Sequence, residues 1–313
     1  MASAKIGDVI CQEMISAVAK DRNVLAVTSD SRGSAALNPF AAKWPQNIVE
    51  MGIAEQNSVT VSAGLAHSGK RPFTFAPAAF LTMRSIEQVK VDVAYSNTNV
   101  KLIGISGGNS YSYLGATHHS LQDLAITRAI PNLEVYMPAD QHQARALMQY
   151  LTTSNHPAYV RIGKVALPDV YSDDETAFQQ PGHGQVVLDL GHDVTIIAAG
   201  ETLHIALDAA RQLEQTGIHA QVVDPVSIKP LDQALINQVA DQTHHLVTLE
   251  EHSRIGGLGA AVAEIIAPRG DTKLNIIGFP DAPVIAGTQD EVFHFYQMDA
   301  PAVAQQVKTW LEK

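Results

Sequence analysis

Short apolar runs alternate with amphipathic stretches along most of this chain. Residues 24–28, 47–51, 72–76, 100–105, 133–137 and 158–162 are apolar runs bounded by turn residues and read as strands. Between them lie segments of helical spacing. Ile10, Met14 and Val18 recur at intervals of four and predict a helix over 7–20. Further helices are predicted at 53–67, 80–96, 120–129 and 139–153. The stretch 53–67 is apolar almost all round (Val59, Val61, Ala63, Leu65, Ala66), which predicts a fully buried helix. A glycine- and tyrosine-rich loop runs from Gly107 to Gly115. Strands that alternate with helices imply a parallel α/β sheet.

The rhythm breaks over 164–184, where Pro168, Asp173-Asp174-Glu175, Gln179-Gln180-Pro181 and two glycines read as an interdomain linker. It then resumes. Strands are expected at 194–199, 220–223, 246–250 and 274–277, and helices at 202–216, 231–241 and 257–267. Gly217 sits where a helix C-terminal cap belongs. The expected architecture is two parallel-sheet α/β domains, 1–163 and 185–313, joined by 164–184.

Composition narrows the function. Of 313 residues, 46% are hydrophobic and only 17% charged, enough for two cores of roughly 150 residues each. The low charge also suggests surface buried against a partner. The balance of 21 basic against 32 acidic residues gives a net charge of -11, and no Lys/Arg cluster stands out, which argues against nucleic-acid or anionic-membrane partners. One cysteine, Cys11, cannot form an internal disulfide and fits a cytoplasmic setting. No secretory leader is evident, and no run of about 18 apolar residues suggests a span.

Three stretches carry candidate chemistry. Glu50-Met51-Gly52-Ile53-Ala54-Glu55-Gln56-Asn57 reads as a strand end, a glycine turn and a helix that begins with a carboxylate. Phe75-Ala76-Pro77-Ala78-Ala79-Phe80-Leu81, followed by Arg84, offers two rings for stacking, worth roughly 1 kcal/mol beyond burial. Gly115-Ala116-Thr117-His118-His119-Ser120 precedes a helix. Adjacent histidines cannot share a helical face and no nearby carboxylate pair completes a metal site, so proton transfer or hydrogen bonding to a hydroxyl is the better use of this pair. The cluster Gly256-Gly257-Leu258-Gly259 lacks the spacing of a dinucleotide fingerprint and reads as a close-packed turn.

The Gly-Ile-Ala-Glu-Gln stretch resembles the corresponding segment of the transketolase family. The rest of the chain extends the resemblance through Gly-x-Thr-His, Ser227-Ile228-Lys229-Pro230-Leu231-Asp232 and Glu250-Glu251-His252. It implies a pyrimidine-binding fold for thiamine diphosphate followed by a transketolase C-terminal domain. It also implies that Glu55 lies beside the coenzyme's pyrimidine ring, where a carboxyl in a dry pocket drives the tautomer shift that activates the coenzyme. Phe80, or in another register Phe75, would stack on that ring, and Ile53 and Asp30 would line the coenzyme. His118 would meet a substrate hydroxyl, and Arg161 the phosphate of a sugar substrate. The sequence departs from the family at Leu114 and Ser106, where many transketolases have an aspartate and a histidine that contact substrate.

Gly-Asp-Gly, which with a later Asn holds Mg²⁺ and the diphosphate in such enzymes, does not occur. The resemblance therefore implies one subunit of a split enzyme. An N-terminal partner subunit would supply the metal site, and self-association would give an α2β2 assembly that moves a two-carbon ketol unit between sugars or sugar phosphates. Two other readings share the fold: the β subunit of a 2-oxo acid dehydrogenase E1 component, and a binding module without catalysis.

Overall fold

The computed structural model describes residues 4–313. The first sheet has seven strands: β1 Val24–Thr28, β2 Ile48–Glu50, β3 Arg71–Pro77, β4 Lys101–Ile105, β5 Glu134–Tyr136, β6 Ala158–Ile162 and, from the second half of the chain, β10 Ser227–Lys229. Their order across the sheet is β10-β5-β6-β4-β3-β1-β2. All neighbours are parallel except β10, which runs antiparallel on β5. The second sheet contains β7 Gln185–Asp189, β8 Val194–Ala198, β9 Ala220–Asp224, β11 His245–Ser253 and β12 Lys273–Phe279, in the order β12-β11-β8-β9-β7. Its neighbours are parallel except β7 on β9. Central strands β1, β4, β6, β8 and β9 are buried at every position, as strands covered on both faces must be.

The sheets are not independent. One apolar cluster contains Leu102, Val135 and Tyr159 of the first sheet together with Ile197, Val223 and Leu246 of the second. Strand β10 crosses back to edge the first sheet, a pairing that the sequence pattern does not predict. The connecting stretch 164–184 is tied down: the Val170 and Tyr171 amides donate to Asp140 Oδ2, each at 2.8 Å, and the Tyr171 hydroxyl donates to Asp224 at 2.6 Å. Two helices not predicted from sequence, Gln289–Phe295 and Ala300–Leu311, cover the second sheet. Each is capped by a side chain at its N-terminus, Thr288 and Asp299.

The expectation of a fully buried helix near 53–67 is corrected. The helix runs Glu55–His67, with Glu55, Ser58, Val59, Ser62 and Ala63 buried. Gln56, Asn57, Thr60, Gly64 and His67 form an exposed face. Small polar residues at 58 and 62 pack inward because they are satisfied there. Ser58 bonds Ser29 (2.5 Å) and the Ala54 carbonyl, and Ser62 accepts from Thr74 (2.7 Å). The predicted helix over 80–96 is irregular, with π-helical turns at Phe80–Arg84 and Val89–Tyr95 around a short α-turn. Single π-turns often mark functional sites. Among the described residues no helix is long and apolar enough to cross a membrane.

Candidate active site

The chemistry-bearing residues gather beyond the carboxyl ends of β1, β2, β3, β4 and β6, the end of a parallel sheet where ligands bind. Glycine at 52 takes φ +70° and turns the chain from β2 into the helix that starts at Glu55. Glu50 secures this turn by accepting from the Asp30 amide at 2.7 Å and the Gly52 amide at 3.2 Å. Asp30 therefore stands exposed at the end of β1, itself at φ +52°, and the side chain of Ile53, just past the turn, is 77% exposed.

Glu55 is only 2% exposed. Its Oε2 accepts from Arg84 Nη1 at 2.6 Å, and that arginine is 45% exposed at its side chain. The Arg84 guanidinium lies 4.4 Å over the ring of Phe80. The Phe80 ring in turn meets the His118 ring edge-on at 5.0 Å, and His118 meets Tyr111 at 5.8 Å. Lys164 lies 5.0 Å over the Tyr111 ring. One continuous line thus runs from a buried carboxylate through aromatic faces to an ammonium. His118 Nδ1 is 2.9 Å from Thr117 Oγ1, which orients the imidazole. Next to it, burial pushes the His119 imidazole below its ordinary range, so it is a neutral core group.

Lys164 also lines a cavity of about 340 Å³, together with Lys5, Asp8, Ser34, Asn38 and Ser106, among others. Ser106, which replaces the family histidine, borders it at the end of β4 with φ +52°, a backbone setting rarely held by a non-glycine residue.

Two expectations are corrected by this geometry. Phe75 is 1% exposed in the core beside β1, with no face left for a ligand, so of the two candidate rings Phe80 is the one at the site. Arg161, expected at a substrate phosphate, is 3% exposed and has its guanidinium engaged by the protein itself. Its Nη2 donates to the Glu251 carbonyl at 2.6 Å and to Glu251 Oε2 at 3.1 Å, and Nη1 to Asp123 at 3.4 Å. Burial alone would weaken the Arg161 charge, but its acidic neighbours, Asp123 first and then Glu251, Tyr159 and Glu201, together hold its pKa above the ordinary value. Arg161 lies in β6, a strand buried at all five positions.

Arg84, Tyr111 and Lys164 were not given roles from the sequence. Their signal lay in position: each follows a strand by a few residues and so lands at the same end of the sheet.

The residues present fit the aminopyrimidine half of thiamine diphosphate. A buried carboxyl, paired with a half-exposed arginine, stands beside a half-buried phenyl ring. Among the described residues no group of three or more His, Cys, Asp and Glu side chains is arranged to hold a metal ion.

Comparison with known proteins places this arrangement. Residues 3–169 match the transketolase pyrimidine-binding domain and residues 182–303 the transketolase C-terminal domain. The chain is 46% identical over 294 residues to an apulose-4-phosphate transketolase subunit of Phocaeicola vulgatus, covering 94% of this chain and 93% of that one. It is 34% identical over 286 residues to a 6-deoxy-6-sulfo-D-fructose transketolase subunit of a Clostridium species, covering 91% and 88%. A solved split-gene transketolase, an inactive β4 tetramer, superposes with a TM-score of 0.87 at 33% identity over 99% of both chains. With the pyrimidine-binding and C-terminal domains both matched, and subunit-length relatives aligned nearly end to end, the chain belongs to the transketolase family and corresponds to its C-terminal subunit.

Proposed function

We propose that this chain, together with an N-terminal partner subunit, transfers a two-carbon ketol unit from a ketose to an aldose with thiamine diphosphate as coenzyme. The observation that carries this reading is the uninterrupted line Glu55–Arg84–Phe80–His118–Tyr111–Lys164, which offers an acid, a stacking face, a hydroxyl partner and an anion partner in that order.

When bound, thiamine diphosphate supplies a nucleophilic carbon that the amino-acid side chains cannot. In this chain Glu55 would hold the pyrimidine by a charge-assisted hydrogen bond, Phe80 would stack on it, and Ile53 and Asp30 would line its approach. Arg84 is exposed enough to swing away from Glu55 as the ring enters. His118 donates to or accepts from a substrate hydroxyl, and its imidazole is suited to proton exchange near neutrality. Mg²⁺ and the diphosphate fall to the partner, since hard oxygen ligands in octahedral array are required.

The named substrates of two relatives, apulose-4-phosphate and 6-deoxy-6-sulfo-D-fructose, are ketoses that carry an anionic group. We assign the corresponding end of this chain's donor to the cavity with Lys164, Lys5 and Ser34, in place of the buried Arg161. The face around helix Glu55–His67, with Ile53 77%, Tyr95 87%, Met83 51% and Val91 46% exposed, borders the site and is the surface that assembly into an α2β2 enzyme would cover. The test is to mix the purified chain with the N-terminal subunit, coenzyme and Mg²⁺ and to assay ketol transfer beside 2-oxo acid decarboxylation. Transfer is expected. Decarboxylation alone would replace this reading with that of a dehydrogenase β subunit.

A further inference from the structure

The loop that presents Tyr111 and His118 is held by the other domain. Between Ser106 and His119 the backbone turns left-handed at Ser106, Gly108 and Gly115, so no regular ladder runs through it. Gly107 N to Ile162 O, Ser110 N to Gly107 O and Ser120 N to Gly108 O tie its ends, and a 3-10 turn over Ser112–Thr117, with Leu114 N to Tyr111 O and His118 N to Gly115 O, bonds its middle. Both side-chain amide atoms of Asn109, His119 Nδ1 and Ser120 Oγ are buried without a hydrogen-bond partner, so bonding within the loop leaves several of its polar groups unsatisfied.

Two side chains of the second domain reach it. Glu251, in β11, accepts from the Asn109 backbone amide at 2.8 Å, and Glu201, just before helix Thr202–Glu214, accepts from the Ser110 hydroxyl at 3.0 Å. Gln289 Nε2 bridges the two carboxylates, at 2.7 Å to Glu201 and 3.0 Å to Glu251. Arg161 closes the other side of Glu251. Gly107 and Gly108 are required here, because a Cβ on either would collide with the Arg161 side chain, and one on Gly163 would strike Glu201.

We propose that Glu201 and Glu251 are positioning residues for the substrate loop. Through Ser110 and Asn109 they fix where Tyr111 and His118 stand against Phe80, which gives the C-terminal domain a direct part in substrate recognition. The inference rests on the transferase reading for its kinetic consequence and on geometry alone for the clamp itself. Neither carboxylate touches substrate; both act through the loop.

The experiment uses the reconstituted two-chain enzyme, the single variants Glu201→Ala, Glu201→Gln and Ser110→Ala, and one double variant. Hydrogen exchange of residues 107–119 should speed up several-fold in Glu201→Ala and Ser110→Ala, with exchange in helix Glu55–His67 and the coenzyme affinity unchanged. The donor KM should rise about tenfold with kcat within about twofold, as expected when the competent loop position is only partly populated. Glu201→Gln, which keeps an oxygen for Ser110, should recover most of the loss. The double variant Glu201→Ala/Ser110→Ala should be no worse than the poorer single, because both remove one contact. Unchanged exchange in 107–119 overturns the clamp. Faster exchange with an unchanged KM overturns its role in recognition, and so does a general rise in exchange across both domains, the mark of a merely structural residue. If the wild-type pair shows no ketol transfer, the transferase reading falls, and the exchange arm still decides whether the clamp exists.

Discussion

Arg84 and Arg161 hold carboxylates at two ends of one loop system, and their settings are opposite. Arg84 is 45% exposed and pairs with Glu55 at 2.6 Å. Arg161 is 2% exposed at its side chain and directs its donors to Asp123, to Glu251 and to the backbone. An ion pair whose cation is half exposed can be exchanged for a ligand, because the freed guanidinium stays in water. A fully buried pair cannot be opened without leaving an uncompensated charge, at a cost of roughly 3–5 kcal/mol. The open arginine is the one a ligand could displace under the proposed function, and the closed one is a joint between domains. Around that joint burial, reinforced by Glu201 and only partly offset by Arg161, pushes Glu251 well above the usual carboxylate range.

The contrast can be broken at both ends. On the open side, Glu55→Gln should leave the fold intact and lower turnover of the reconstituted enzyme by at least about 10²-fold, the usual contribution of one placed acid–base group. Near-normal turnover would remove Glu55 from the chemistry. On the closed side, Arg161→Met should lower unfolding stability by roughly 3–5 kcal/mol in a denaturant titration, because Asp123 and Glu251 lose their cation. A loss below about 1 kcal/mol would show that Arg161 behaves as a surface group.

A pH titration sharpens the picture of the closed side. Glu250, adjacent to the joint, accepts from the Leu258 amide at 2.7 Å and the Gly259 amide at 3.0 Å. Burial outweighs these bonds and raises its pKa from 4.5 to about 7. The folded state then keeps a proton that the unfolded state releases between those values. Its contribution to stability is complete at the acid end and is lost as pH rises through about 7. Wild type should lose roughly 1–3 kcal/mol more than Glu250→Gln between about pH 5 and pH 8 by chemical denaturation. Parallel profiles would place the titration elsewhere. A smaller effect is expected for Arg84→Met, roughly 1–3 kcal/mol of stability, because it strands the single buried Glu55 carboxylate where Arg161→Met strands two. A loss equal to that of Arg161→Met would erase the distinction between the two arginines.

Much of this was legible in the sequence. Every strand except β7 and β10 follows from apolar runs of strand length, and Glu55, Phe80 and His118 stood out through the resemblance of their segments to the family. What was not legible depended on contacts across long separations. Strand β10 pairs with β5 from the other half of the chain, and Ser227-Ile228-Lys229 alone carries too little periodicity to reveal it. Helix Glu55–His67 looked wholly apolar because Val, Leu and Ala outnumber its serines, yet three-dimensional packing turned Ser58 and Ser62 inward and left Thr60 and Gly64 outside. Arg161 lies near the end of a strand that reads like any strand entering a site. Only the Glu251 and Asp123 carboxylates, distant in sequence, show that its charge is already satisfied.

The central claim is that this chain supplies half of a coenzyme site and needs a second polypeptide for the other half. The most direct measurement is calorimetric titration of thiamine diphosphate and Mg²⁺ into the chain alone and into the chain mixed with its N-terminal partner, with ketol transfer assayed in both samples. Weak binding and no turnover alone, with tight binding and transfer in the mixture, is the predicted result. Micromolar binding and turnover by the lone chain would contradict it.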